Sequence, residues 1–161
     1  MVNRIDSVSK TGSFPLVLER TAKRDVRTQF AALCFKRKNS GTKVLLVTSR
    51  DTGRWVIPKG WPMNGKTAEQ CVAIEAWEEA GVRGPVSDGC IGIYSYIKEL
   101  DTGVNLPIVV AVYSLRVSEL HSEYPELEQR ERKWVSLKKA ARLVDEPELA
   151  QLLIRFKPCG T

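Results

Sequence analysis

The chain has little of what thiolate, redox or histidine-based chemistry needs. One histidine, His121, occurs in 161 residues. It sits in the polar stretch "SELHSEYPE", and a Ser/His/Asp triad or a histidine-rich metal site would have to be built on it alone. Cys34, Cys71, Cys90 and Cys159 are widely spread, with no CxxC pair. That argues against a zinc knuckle or thioredoxin-like motif and for reduced, partly buried thiols. No apolar run approaches the roughly 20 residues of a membrane-spanning helix. The N-terminal stretch mixes Arg4, Asp6, Lys10, Glu19, Arg20, Lys23, Arg24 and Asp25 with short apolar pieces. It lacks the unbroken hydrophobic region of a secretory signal, so a cytoplasmic location is expected. Internal repeats, low-complexity tracts and linkers are also missing.

What is present fits one soluble globular domain with its own core: 43% hydrophobic and 27% charged residues. The net charge is +6 and the pI about 9.3, so the surface attracts polyanions. The basic residues form no long run. They recur as Arg24, Arg27, Lys36, Arg37 and Lys38, then Arg50, Arg54 and Lys59, then Arg130, Arg132 and Lys133. Aromatic interleaving of the kind used for single-stranded nucleic acid is weak. That charge suits nucleic acid, anionic lipid or small polyanions alike; a nucleic acid is less expected than a small anionic partner, and no membrane partner is expected.

The segments "RTQFAALCFKR" and "KVLLVTS", joined by "KNSG", read as a hairpin. "RWVIP" reads as a brief strand closed by Pro58, and "KGWPMNGK" as a loop without regular structure. Thr67 and Gln70 form a capping box for a helix over 67–80 that stops at Gly81. Val72, Ala73, Ala76 and Ala80 give that helix an apolar stripe. "CIGIYSYIKEL" and "LPIVVAVYSLRV" read as a second hairpin around "DTG", and "RKWVS" as a last strand. "LKKAARLV" and "PELAQLLIRF" read as closing helices, with Pro147 near the first position of the second. The order predicts an α/β fold: a sandwich of helices around a mixed β-sheet. We expect an N-terminal extension over 1–24, a domain over 25–157 and a tail over 158–161.

The helix carries "EAWEEAG", residues 75–81. At 100° per residue Glu78 and Glu79 lie about 60° and 40° to either side of Glu75, so all three carboxylates share a face. Like charges so placed cost an isolated helix a few tenths of a kcal/mol per pair. Two readings follow: a solvated acidic face, or a site for a hard cation such as Mg²⁺ or Mn²⁺ that removes the repulsion.

Joined to its preceding loop, the helix resembles the Nudix box. Gly60, Glu75, Ala76, Glu78, Glu79, Gly81 and Val82 fall where that pattern requires them. Lys66 stands where the family has Glu, and Ile74 where it has Arg. In the family those two commonly form a supporting ion pair; here both are changed together, so no single charge is stranded. "VLLVTSRDTGRWVIPKGWPMNGKT" and "QRERKWVSLKKAARLVDEPELAQLLIRF" are similar to the diphosphoinositol-polyphosphate phosphohydrolase branch.

The resemblance implies metal-dependent hydrolysis of a phosphoanhydride in a nucleoside-diphosphate-linked or polyphosphorylated small molecule. It implies Glu75 and Glu79 as metal ligands, with the backbone carbonyl of Lys59 as a third. Glu78 is implied as the base that activates water or as a further ligand; Glu126, Glu128 and Glu131 are reserves for the base. Arg50, Arg27 and Arg132 are implied as phosphate contacts. Trp55 and Trp61 could stack on a base, Trp55 being better suited to the core, and Trp77 falls on the far side of the helix from the carboxylates. Two alternatives stand beside hydrolysis. One is a Nudix module that binds a nucleotide or polyphosphate without cleaving it. The other is an enzyme that removes pyrophosphate from RNA 5′ ends, which the basic pI permits although no RNA-reading motif is visible.

Overall fold

The computed structural model describes residues 27–159. The expected extension over 1–24 lies outside the described residues, as does the end of the tail. The chain forms, in order, β1 (Arg27–Lys38), β2 (Gly41–Thr48), β3 (Trp55–Val56), β4 (Lys59–Gly60) and α1 (Ala68–Ala80). There follow β5 (Val82–Arg83), β6 (Gly92–Glu99), β7 (Asn105–Arg116), β8 (Glu119–Leu120), β9 (Arg132–Ser136), α2 (Leu137–Leu143) and α3 (Pro147–Arg155). Both expected hairpins form: β1 with β2 and β6 with β7, each antiparallel.

The main sheet runs β3-β2-β1-β7-β6, with β9 paired to β2 and β4 to β1. It is mixed because β1 and β7 are parallel, from Arg27 opposite Ile108 to Phe35 opposite Arg116. β1 reads as one continuous apolar run because both of its faces are covered. Ala31, Leu33 and Phe35 feed the core that includes Leu149 and Leu153 of α3. Phe30, Ala32 and Cys34 feed the core that includes Cys71, Val72 and Ala76 of α1. Each Val, Leu or Phe so buried stabilises the fold by about 1.5–3 kcal/mol. The result is the expected α/β sandwich, with α1 on one face and α2 and α3 on the other. Among the described residues no helix is long and apolar enough to cross a membrane.

Two local expectations are corrected, and one element is added. The stretch read as irregular loop contains β4, because Lys59 and Gly60 sit opposite Ala31 and Phe30 of β1. Ala73 is exposed; the buried side of α1 is Ala68, Cys71, Val72, Glu75, Ala76, Glu79 and Ala80. A separate two-stranded sheet, β5 with β8, follows α1, and neither strand has the length or alternation that marks a strand in sequence.

Candidate active site

α1 is fixed at both ends by its own sequence. The Thr67 hydroxyl accepts from the Gln70 N–H, and the Gln70 side chain accepts from the Thr67 N–H, which completes the capping box. Gly81 adopts the left-handed conformation, φ 65°, and its N–H closes onto the Ala76 and Trp77 carbonyls. Between these stops the helix turns its carboxylates toward the sheet. Glu75 is 9% exposed and Glu79 5%, which rules out the solvated acidic face for these two. Glu78 is half-buried.

Gly60 is the reason Glu75 fits: a Cβ there would overlap its carboxylate. Glu75 has no ion pair among the described residues. Burial first, then the charges of Glu79, Glu78 and Glu126, push its pKa up to about 7. Glu79 is held on both oxygens. Arg130 Nη2 lies 3.1 Å from Oε1, and the Lys59 backbone N–H donates to Oε2 at 3.2 Å. Burial still pushes Glu79 up to about 7, although Arg130 and Lys59 pull it down.

A segment distant in sequence completes the cluster. Arg130 is buried and donates to Glu79, to Glu126 Oε2 at 3.4 Å and to the Thr48 carbonyl at 2.9 Å. The Glu126 N–H donates to the Glu78 carbonyl at 3.0 Å, which ties this segment to α1. Glu126 Oε1 meets Arg50 Nη1 at 3.2 Å, and the same Arg50 nitrogen donates to Gln129 at 3.1 Å. Charges therefore alternate from Arg50 through Glu126 and Arg130 to Glu79. Arg130 was missed as a site residue by sequence reasoning; its only signal was membership of a basic cluster.

The other expected residues are placed as follows. Arg50 reaches this cluster, and Glu126 belongs to it, whereas Glu128 and Glu131 are exposed. Arg27 starts β1 opposite Ile108, with a buried Nε that has no partner among the described residues. Arg132 is spent on the fold. Its guanidinium donates to the Ala80 carbonyl at 2.6 Å and the His121 carbonyl at 2.8 Å, and it lies over Tyr124. Those contacts seal the C-terminus of α1. Trp55 packs on the core under Lys133, Trp61 is exposed, and Trp77 packs against His121 and Arg83. Lys66 is exposed and Ile74 half-buried, so the altered box pair strands no buried charge.

Among the described residues no three His, Cys, Asp or Glu side chains are already drawn together as a metal cage. The donors nonetheless suit a hard divalent cation. Burial pushes two carboxylates up to about 7, and the gap at Gly60 makes room for one of them. A cavity of about 1100 Å³ lies elsewhere, lined by Phe35, Val86, Cys90, Leu152, Arg155 and Cys159 among others. None of the clustered carboxylates borders it.

Residues 27–156 match the family model described as the NUDIX domain. The mitochondrial Nudix hydrolase 16 of Arabidopsis thaliana is 32% identical over 115 residues, which is 70% of this chain and 63% of that protein. Human diphosphoinositol polyphosphate phosphohydrolase 3-beta is 25% identical over 135 residues, 81% of this chain and 78% of that protein. A crystal structure of C. elegans Ap4A hydrolase shares the fold, with a TM-score of 0.60 and 19% identity over 81% of this chain and 95% of that one. The chain spans about half to two thirds of the length of the Arabidopsis relatives numbered 16, 12 and 13. Since the matched span runs from β1 to α3 and contains Gly60, the capped helix and its carboxylates, the chain belongs to the Nudix family.

Proposed function

We propose that the protein hydrolyses a phosphoanhydride bond in a nucleoside-diphosphate-linked or polyphosphorylated small molecule, with Mg²⁺ or Mn²⁺ as cofactor. The observation that carries this reading is the pair of buried carboxylates, Glu75 and Glu79, on one helix against the glycine-made gap at Gly60. Glu75, Glu79 and the Lys59 carbonyl would hold the cation, with Glu78 as a further ligand or as the base. A divalent ion there neutralises diphosphate charge and lowers the pKa of water.

The chain's own groups divide the remaining work. Arg130 and the Lys59 N–H fix the orientation of Glu79. Glu78, half-buried at the rim, can take a proton from water, and Glu126 is the second carboxylate within the cluster able to do so. Arg50 is 57% exposed, so its remaining donors face solvent where a phosphate can approach. As the oxygen of water bonds to phosphorus and its proton passes to the carboxylate, the bond from phosphorus to the bridging oxygen breaks, and the negative charge that this oxygen takes with it would be neutralised by the cation.

A second reading has one observation in its favour. Glu79 is already paired with a buried guanidinium, as it would be in a module that binds polyphosphate without cleaving it. A panel of inositol pyrophosphates, dinucleoside polyphosphates, nucleotide sugars and capped or triphosphorylated RNA, scored by phosphate release with and without Mg²⁺, separates the readings. Turnover that requires the metal supports hydrolysis; binding without turnover on every compound supports the module.

A further inference from the structure

The cavity of about 1100 Å³ opens at the other end of β1 from the carboxylates: Gly60 sits opposite Phe30, whereas the cavity reaches Phe35. Its floor is the stretch of sheet where the cover given by α3 ends. Val110 and Val112 of β7 belong to the core beneath that helix, and strand alternation puts Ser114 and Arg116 on the same face. Along this row Val112 is buried, Ser114 half-buried and Arg116 exposed, and the last two line the cavity.

Both walls are pinned. One is the segment 85–91, which runs beside β7. The Arg116 N–H donates to the Pro85 carbonyl at 3.0 Å, the Ser87 N–H to the Ser114 carbonyl at 2.8 Å, and the Ile91 N–H to the Val112 carbonyl at 2.8 Å. From Ser87 to Ile91 this wall advances four residues while β7 advances two, so Asp88, Gly89 and Cys90 bow outward. The Ser87 hydroxyl closes that bow on the Gly89 carbonyl at 2.9 Å. The other wall is α3 with its tail. Leu149 and Leu153 belong to the core, which leaves Glu148, Leu152 and Arg155, at helical spacing, along the cavity. Gly92 permits the close approach of α3, since a Cβ there would overlap Leu152. Phe156 packs edge-on against Phe35 with ring centres 5.2 Å apart, and Arg37 Nη2 donates to the Pro158 carbonyl at 2.7 Å, which holds the tail.

The lining is apolar with a lopsided charge. Val86, Ile91, Leu152 and Phe156 supply hydrocarbon. Arg116, Arg155 and Lys157 supply three cations, and among the described residues none of them has an ion pair or a side-chain hydrogen bond. Against them stand Asp88 and Glu148, and Glu148 already accepts from the Ser95 N–H at 3.1 Å and the Ser95 hydroxyl at 2.8 Å. A concave apolar site of this size with a few polar groups is the form that small-ligand sites take. A neutral apolar guest would leave the cations without a partner, and a bare inorganic anion would leave the hydrocarbon wet. We propose that the cleft binds a long-chain acyl anion, with its chain along Val86, Ile91, Leu152 and Phe156 and its carboxylate among Arg116, Arg155 and Lys157. Two pinned walls enclose a single chain, whereas a bilayer could meet only their rims. The site goes beyond the hydrolytic reading: it shares no residue with the cluster on α1, and its binding needs neither metal nor turnover.

The cleft carries its own reporters, because Cys90 and Cys159 line it and are exposed while Cys34 and Cys71 are buried. The test is alkylation of the native full chain by uncharged iodoacetamide, read at each cysteine by peptide mass, with decanoate added below its micelle concentration. We expect decanoate to slow Cys90 and Cys159 saturably and at least fivefold, and decanol or acetate at the same concentration to slow neither by more than twofold. Octanoate, two methylenes shorter, should need about tenfold more for half-protection. Arg116→Gln combined with Arg155→Gln changes two exposed side chains, so the fold should hold, and at least fivefold more decanoate should then be needed. No protection in wild type would overturn the site. Equal protection by decanol, or an unchanged decanoate requirement in the double variant, would overturn the anion. Faster labelling of Cys34 or Cys71 would mean that decanoate unfolds the protein and would overturn the site as well. Protection by phosphatidylglycerol vesicles but not by decanoate would give the cleft to a membrane surface and overturn the single-chain ligand.

Discussion

Arg130 Nη2 lies 3.1 Å from Glu79 Oε1, and both side chains are more than nine-tenths buried. The guanidinium comes from the segment before β9 and reaches a carboxylate on α1 some fifty residues away in sequence. Removing one member of a buried pair leaves the other charge uncompensated, which costs about 3–5 kcal/mol. Arg130→Met should therefore lower the unfolding free energy by that order, read from the urea midpoint. Because Glu75, Glu79 and Glu126 then lack their shared cation, added Mg²⁺ should recover more stability in the variant than in wild type. A midpoint within experimental scatter of wild type would show that the pair contributes little.

Gly60 tests the cradle. Its backbone is not in the left-handed region, so alanine there strains no dihedral; the atoms nearest the added methyl are those of the Glu75 carboxylate. Gly60→Ala should leave a folded protein whose Mn²⁺ affinity and turnover both fall at least tenfold. Retained Mn²⁺ affinity would mean that Glu75 is not where the cation is held.

The metal-free protein should lose stability as the solution turns from acid to neutral. The folded pKa of Glu75 is about 7, against 4.5 for the free side chain. Between those values the native state binds more protons than the unfolded chain, so the unfolding free energy falls with rising pH. Its contribution is complete below about pH 4.5 and lost by pH 7 and above. Glu75→Gln removes that titration. In excess chelator, melting temperature should decline less steeply across this window in the variant than in wild type. Saturating Mg²⁺ should flatten the wild-type curve. Identical slopes with chelator present would refute the assignment.

Arg50 is exposed enough that its ion pair with Glu126 should matter little to stability, within about 0.5 kcal/mol. Its expected weight lies in catalysis. Arg50→Ala should cost about 2–3 kcal/mol in kcat/KM, and Arg50→Lys should also be impaired because an ammonium lacks the two-pronged fork. A change that appears only at low salt, and equally on all substrates, would reduce Arg50 to long-range steering.

Much of the site was legible in sequence because it is local. Thr67, Gln70 and Gly81 fix where α1 begins and ends, and helical periodicity alone puts Glu75, Glu78 and Glu79 on one side. The hairpins, the last strand and the closing helices follow from alternation and turn residues within a few positions of each other. The resemblance of the loop and helix to the Nudix box supplied the family. What no local rule contains is which distant side chains reach that helix. The register of β9 against β2, with Val47 opposite Arg132, carries residues 126–132 across to α1. That placement makes Arg130 the partner of Glu79 and gives Arg132 to the backbone at Ala80 and His121. Two neighbouring arginines thereby acquire opposite uses, although sequence gives them equal standing. The pairing of β4 with β1 likewise decides that Gly60 makes room for Glu75 while the Lys59 side chain emerges on the other face. Helix caps and periodicity act over one or two turns, whereas charge pairing and strand register act across the folded sheet, so only the tertiary structure could settle them.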